Sequence, residues 1–144
     1  MSSQIGFVIV LAHETRDGDT IEMTANVLHW NSTKCKRVTR SVLASELYAM
    51  VAGFDLGTVI QTTISGITET KVPLVICTDS YSLYDCMIRL NTTAEKRLMI
   101  DIMGLRQSYE RHEIEEIRWI DGTCNPADAM TKDRPCAALK QLVN

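Results

Sequence analysis

The apolar run Val72-Pro73-Leu74-Val75-Ile76-Cys77-Thr78 ends in Asp79-Ser80, and there the hydrophobic pattern changes. The run is long enough for one buried strand and too short for a helix of its own. Beyond Ser80 the residues Leu83, Met87 and Leu90 recur at helical spacing. The segment therefore reads as strand, tight turn and helix, with Ser80 as the helix cap. Asp79 stands at the carboxyl end of the strand. In open α/β sheets ligands gather at that end. On this junction alone, Asp79 is either a capping turn residue or part of a site.

Two more carboxylates occupy comparable positions. Leu43, Leu47, Met50 and Phe54 form one stripe of a helix read over residues 41–62. Glu46 lies beside that stripe, where it can point over a sheet edge. In Asn125-Pro126-Ala127-Asp128, Asn125 suits an N-cap and Pro126 the first helical position, so Asp128 falls in the first helical turn. A carboxylate there also complements the helix dipole.

The remaining elements follow from pattern. Residues 4–12 are apolar and β-rich, Asp17-Gly18-Asp19 is a turn signal, and residues 21–30 alternate loosely up to Trp30, giving a hairpin. The Thr/Ser/Gly-rich piece from Thr62 to Thr70 predicts the end of the long helix and a loop. Thr92 with Glu95 is a capping-box pattern, followed by Leu98, Ile102, Leu105 and Tyr109 on one helical face. Ile114 to Ile120 predicts a last strand, with Ile117 and Trp119 on one face. Residues 126–132 start a final helix and 137–143 continue as helical tail.

The 144 residues fit one domain, and 45% hydrophobic with 23% charged residues is ordinary for a globular protein. No apolar stretch is expected to reach the ~20 residues of a membrane span, and the start Met1-Ser2-Ser3-Gln4 has no basic region and no signal-like apolar segment. The five cysteines include no CxxC pair and the three histidines are scattered, so reduced thiols in an intracellular protein are expected rather than a zinc site. Cys77, inside the apolar strand, is expected to be a small core residue. No glycine-rich phosphate loop follows a strand. The net charge of −3 is unlike that of most nucleic-acid binders, but basic residues cluster locally. Lys34, Lys36, Arg37 and Arg40 precede the Glu46 helix, and Lys96, Arg97 and Arg106 recur on a second helix. Such clusters are either solvated loops or places for a phosphate backbone.

The order of acids and the segments Ser3-Gln4-Ile5-Gly6-Phe7-Val8-Ile9, Trp30-Asn31-Ser32, Arg40-Ser41, Ala44-Ser45-Glu46-Leu47-Tyr48-Ala49, Thr78-Asp79-Ser80, Glu95-Lys96-Arg97-Leu98 and Ala127-Asp128-Ala129-Met130-Thr131-Lys132 together resemble the RNase H domain of copia-type retrotransposon polyproteins. The resemblance spans essentially the whole chain. A retroviral-type integrase orders its acids Asp, Asp, Glu, whereas here Glu46 precedes Asp79. The resemblance implies an α/β fold with a mixed sheet and flanking helices. It implies hydrolysis of the RNA strand of an RNA–DNA hybrid, with Mg²⁺ (or Mn²⁺) held by Glu46, Asp79 and Asp128. It further implies nucleic-acid contacts by Lys34, Lys36, Arg37, Arg40, Ser80, Lys96 and Arg97. The implied partner within the polyprotein is a reverse transcriptase domain, with no membrane involved. The implied setting is a cytoplasmic particle or the nucleus.

Phosphodiester hydrolysis needs charge stabilised on both the attacking and the leaving oxygen. Two metal ions roughly 3.5–4 Å apart, held by hard oxygen ligands, do this. RNA is told from DNA through its 2′-OH, and only Gly6, Asn31-Ser32 and Ser80 suggest themselves for that role. One departure from the family stands out. Family members carry a first catalytic Asp on a central strand ahead of the segment that begins here at Ser3. That strand is expected to be missing, leaving the 4–12 and 72–78 strands without a common neighbour. The chain is then a piece of a longer polyprotein, a decayed non-catalytic relic that binds nucleic acid or protein, or a domain completed from elsewhere. Some relatives also have a histidine before the last acid, and Asp121-Gly122-Thr123-Cys124-Asn125 contains none.

Overall fold

The computed structural model describes residues 3–37, 39, 41–131 and 137–143. Strands β1 (Gln4–Asp17) and β2 (Thr20–Lys34) form a long antiparallel hairpin. Gly18, at φ 60°, takes the left-handed conformation that the turn requires. The register runs from Gln4 opposite Lys34 to Asp17 opposite Thr20, with a bulge after Ile9. Pairing carries both strands well beyond the apolar segments, through polar residues that alternation alone does not mark.

Helix α1 (Val42–Thr68) follows, capped by Ser41, whose hydroxyl accepts from Ala44 N at 3.2 Å. It outruns the expected end at residue 62. Thr62, Thr63 and Thr68 turn their hydroxyls back onto the carbonyls of Thr58, Val59 and Ile64 at 2.8–2.9 Å, so the polar tail stays helical. As a whole α1 is long and apolar enough to cross a membrane, by length and composition. In this fold it is a packing helix: Ala44, Leu47 and Met50 enter the core, and Gly53 faces the Phe7 ring.

Strand β3 (Val75–Thr78) is shorter than the apolar run that contains it, and helix α2 (Tyr81–Ile88) starts at the Ser80 cap, whose hydroxyl accepts from Leu83 N at 3.4 Å. Leu83 and Met87 are buried as their spacing predicts, but Leu90 lies beyond the helix at φ 58° and is exposed. The Thr92–Glu95 capping box does not form. Thr93 accepts from Glu95 N instead, and a 3-10 turn (Lys96–Leu98) leads into helix α3 (Met99–Glu110). Strand β4 (Glu116–Trp119) pairs in parallel with β3. Two 3-10 turns (Gly122–Cys124 and Pro126–Met130) and helix α4 (Ala137–Val143) complete the described chain.

The core lies among α1, α2, α3 and β4. Leu47, Leu83, Leu98, Ile102 and Ile114 are fully enclosed there. The other face of β3 is not covered: Val75 and Cys77 are exposed, so Cys77 is not the core residue its apolar context suggests. The described strands form two separate two-stranded sheets, β1–β2 and β3–β4, both packed on α1. With the helices packed around them, they make the mixed α/β arrangement with flanking helices that was expected. A side-chain tie between described residues joins the halves. Arg118 of β4 donates to Glu14 of β1 at 2.6 Å and to Glu116 at 2.8 Å.

Candidate active site

Residues distant in sequence meet in a hollow of about 40 Å³ lined by Gln4, Gly6, Ser45, Glu46, Ala49, Asp79, Asn125, Ala127, Asp128 and Thr131. Glu46, Asp79 and Asp128 are each half-buried there. Each reaches the hollow for a local reason. Glu46 sits in the second turn of α1, next to Leu47, whose burial fixes the helix's rotation. Asp79 follows Thr78, whose hydroxyl accepts from Ser80 N at 3.1 Å and tightens the turn out of β3. On the other side of that turn the Trp119 indole donates to the Asp79 carbonyl at 3.3 Å. Gly122 lies against the carboxylate, since a Cβ there would stand 3.4 Å from Asp79 Oδ2.

Asp128 is carried by the 3-10 turn Pro126–Met130, with Pro126 in its opening position. The Asn125 side chain accepts from Ala127 N at 3.0 Å, so the expected cap forms, on a 3-10 rather than an α-helical turn. The turn is pinned to the hairpin. Ser32 donates to the Met130 carbonyl, Gln4 donates to Ser32 at 2.8 Å, and Gly6 packs directly under Met130 and Thr131. Nearby, Asp121 accepts from both the amide and the hydroxyl of Thr123, at 2.9 and 2.7 Å, which holds its carboxyl below the ordinary range.

The donor set, three carboxylates with Asn and Gln oxygens beside them, suits a hard divalent cation in chemical type. It does not suit one in spacing. Among the described residues no three Asp, Glu, His or Cys side chains stand close enough together to hold one ion. As it stands, the hollow is an incomplete ligand set.

Among the described residues, none of the sequence-nominated basic side chains lines the hollow. Lys34 stands opposite Gln4, a residue of the hollow's lining, at the open end of the hairpin. Lys36 is exposed. Arg37 folds back onto the helical layer, 5.1 Å over the Tyr48 ring and 3.8 Å from Asp101. Arg97 pairs with Glu95 at 3.3 Å beside the exposed Lys96. Arg106 clamps the end of α2 through the carbonyls of Cys86 and Asn91. Arg40 lies outside the described residues. Ser80 spends its hydroxyl acceptor on the α2 cap. Sequence reasoning missed Gln4, Ser45, Thr131 and Gly122 as neighbours of the acids, because nothing in their spacing marks them.

The architecture can be compared with solved structures. It superposes on LC11-RNase H1, isolated from compost by a metagenomic approach, with a TM-score of 0.59 at 13% identity, over 99% of this chain and 96% of that one. The fold is that of a ribonuclease H. No protein-family model and no curated protein matches the sequence. Within the RNase H fold, the hollow lies at the carboxyl end of β3, where α/β sheets gather their ligands.

Proposed function

We propose that this RNase H-like domain binds an RNA–DNA hybrid and hydrolyses its RNA strand, as part of a copia-type retrotransposon polyprotein that also carries a reverse transcriptase. The observation that carries the reading is the convergence of Glu46, Asp79 and Asp128, from three separate elements, on one hollow of an RNase H fold. Divalent Mg²⁺ or Mn²⁺ is the cofactor of this reading; bound there, it would supply Lewis-acid stabilisation of phosphate oxygens. The chain's own part is to hold the three carboxylates. α1 fixes Glu46, the Thr78–Ser80 turn fixes Asp79, and the Ser32–Met130 contact fixes the turn bearing Asp128.

The incomplete ligand set belongs to the same reading. We infer that in the active protein a further strand with an aspartate lies between the β1–β2 and β3–β4 pairs and joins them into one sheet. Two observations support this: β1 and β3 have no ladder with each other, and Gln4 and Gly6 of β1 line the same hollow as Asp79, the residue that follows β3. Lys34, Lys36, Lys96 and Arg97 are exposed cations for phosphate contacts under this reading. Intracellular location follows from the polyprotein reading.

The test is cleavage of a hybrid labelled on its RNA strand, by the chain alone and by the chain fused to an aspartate-bearing strand. The fused protein should cut in Mg²⁺ and lose activity on Asp79→Asn, and the chain alone should be nearly inert. Robust cleavage that survives Asp79→Asn overturns the assignment.

A further inference from the structure

At the carboxyl end of β3 and β4, on the helix side of the sheet, two large aromatic rings are exposed. Trp119 is 43% and Tyr81 49% accessible. They meet edge to face, with centroids 6.3 Å apart and planes at 81°. Neither is loose. The Trp119 indole N–H is held on the Asp79 carbonyl at 3.3 Å, and Tyr81 also packs on Tyr84 at 6.2 Å. The Arg89 guanidinium lies 5.9 Å over the Tyr81 ring and 3.5 Å from Asp85. The result is a small rigid aromatic corner with a cation at its margin, joined through Asp79 to the acidic hollow.

A Trp in a strand that points toward the core layer is ordinarily enclosed, as Ile117 is two residues earlier. Here the ring is fixed and left accessible. Fixed, accessible rings beside a guanidinium are what a stacked nucleobase uses. Every base has a π-face, and its phosphate falls to the neighbouring cation. Bases inside a duplex are already stacked on one another, so only an unpaired base offers a free face to such a corner.

We propose that Tyr81 and Trp119 form a stacking platform for an unpaired base, in a single-stranded segment of nucleic acid that continues from the hollow. The inference rests on reading the hollow as a nucleic-acid site, and it adds a substrate feature: a single-stranded flank rather than duplex alone.

The test uses the full chain in EDTA, with Trp30→Phe so that Trp119 is the sole tryptophan. The probe is a single-stranded oligo(dT). Titration should quench Trp119 emission, whereas a blunt RNA–DNA duplex should bind without comparable quenching. Trp119→Ala or Tyr81→Ala should weaken oligo(dT) binding on the order of 10-fold or more, the loss expected for one stacked base. Trp119→Phe keeps a ring but not the hydrogen bond to Asp79, so it should bind within about 3-fold of the parent if stacking is the role. Circular dichroism checks that each variant is folded, and if Trp119→Ala is not, Tyr81→Ala decides. Unchanged affinity in Tyr81→Ala, equal quenching by the blunt duplex, or quenching by a proline-rich peptide but not by oligo(dT) would overturn the proposal. Because no metal or cleavage enters the assay, intact quenching by oligo(dT), together with a strand-completed protein that never cleaves a hybrid, would refute the hydrolase reading and leave the platform standing.

Discussion

Gly6 is the residue on which the position of Asp128 most depends, and Gly6→Ala isolates that dependence. A methyl at Gly6 would overlap Met130 Cβ, stand 2.9 Å from Thr131 Cγ2 and come within 3.2 Å of the Met130 carbonyl carbon. Two of these three neighbours are the Cα-attached carbon and the backbone of Met130, so no side-chain rotation relieves the clash. Nor can the turn slide freely, because Ser32 holds the Met130 carbonyl and Thr131 N donates to Asp128 O at 3.2 Å. The 3-10 turn must lift off β1 as a unit, taking Asp128 with it. Overpacking of this kind costs about 1–3 kcal/mol. For a chain of 144 residues the unfolding entropy is on the order of 0.3 kcal/mol per degree, so Tm should fall by roughly 3–10 °C. The matched control is Gly66→Ala in α1, where a methyl meets nothing within 4 Å. Removing a helical glycine there should stabilise by about 0.5–1 kcal/mol. Differential scanning calorimetry of the pair reads both effects. A Gly6→Ala protein as stable as the parent, with the control behaving as stated, would refute the close packing of the Asp128 turn on β1.

Other outcomes follow from the same packing and charge arrangement. Leu47→Ala empties a fully enclosed position between α1 and the other helices, and should cost about 2–5 kcal/mol in urea unfolding. Arg118→Ala removes the tie between the two sheets and should cost about 1–2 kcal/mol, since its bonds to Glu14 and Glu116 are charge-assisted but half-exposed. Arg118 holds the Glu116 carboxyl below its ordinary range, so this part of the stability is present above the unfolded carboxylate pKa and is lost as pH falls through the lower folded value. Arg118→Ala should therefore flatten the dependence of Tm on pH in the acid range, and an unchanged slope would contradict the tie. Lys34→Gln with Lys36→Gln should weaken hybrid binding for all sequences and lower the salt slope by ~0.9 for each phosphate no longer neutralised. An unchanged slope would return both residues to a solvated loop. Light scattering should detect self-association of the chain, because β1 offers a long edge without a ladder partner beyond β2 among the described residues.

The three acids were legible because each stands where local rules act: beside a buried stripe, after a short apolar strand, and behind an Asn-Pro helix start. What was not legible depends on packing between elements. Thr62 to Thr68 has the composition of a loop, and hydroxyl back-bonds keep it helical. Residues 13–17 and 31–34 have the look of flanks, and cross-strand pairing makes them strand. Cys77 has apolar neighbours in sequence, yet the outer face of β3 is bare. Arg37 belongs by sequence to a basic cluster, but Tyr48 and Asp101 draw it onto the helices. The pinning of the Asp128 turn by Gly6, Gln4 and Ser32 joins residues about a hundred positions apart, which no local pattern encodes.

The central claim is that Glu46, Asp79 and Asp128 are the protein ligands of a catalytic divalent ion. The most direct measurement is anomalous diffraction from crystals of the strand-completed protein grown with Mn²⁺ and a hybrid. The account predicts Mn²⁺ in the hollow, with carboxylate oxygens of Asp79 and at least one of Glu46 and Asp128 at about 2.0–2.5 Å, and no peak there in Asp79→Asn. A hollow without metal beside a bound hybrid, or Mn²⁺ held only elsewhere on the protein, would contradict it.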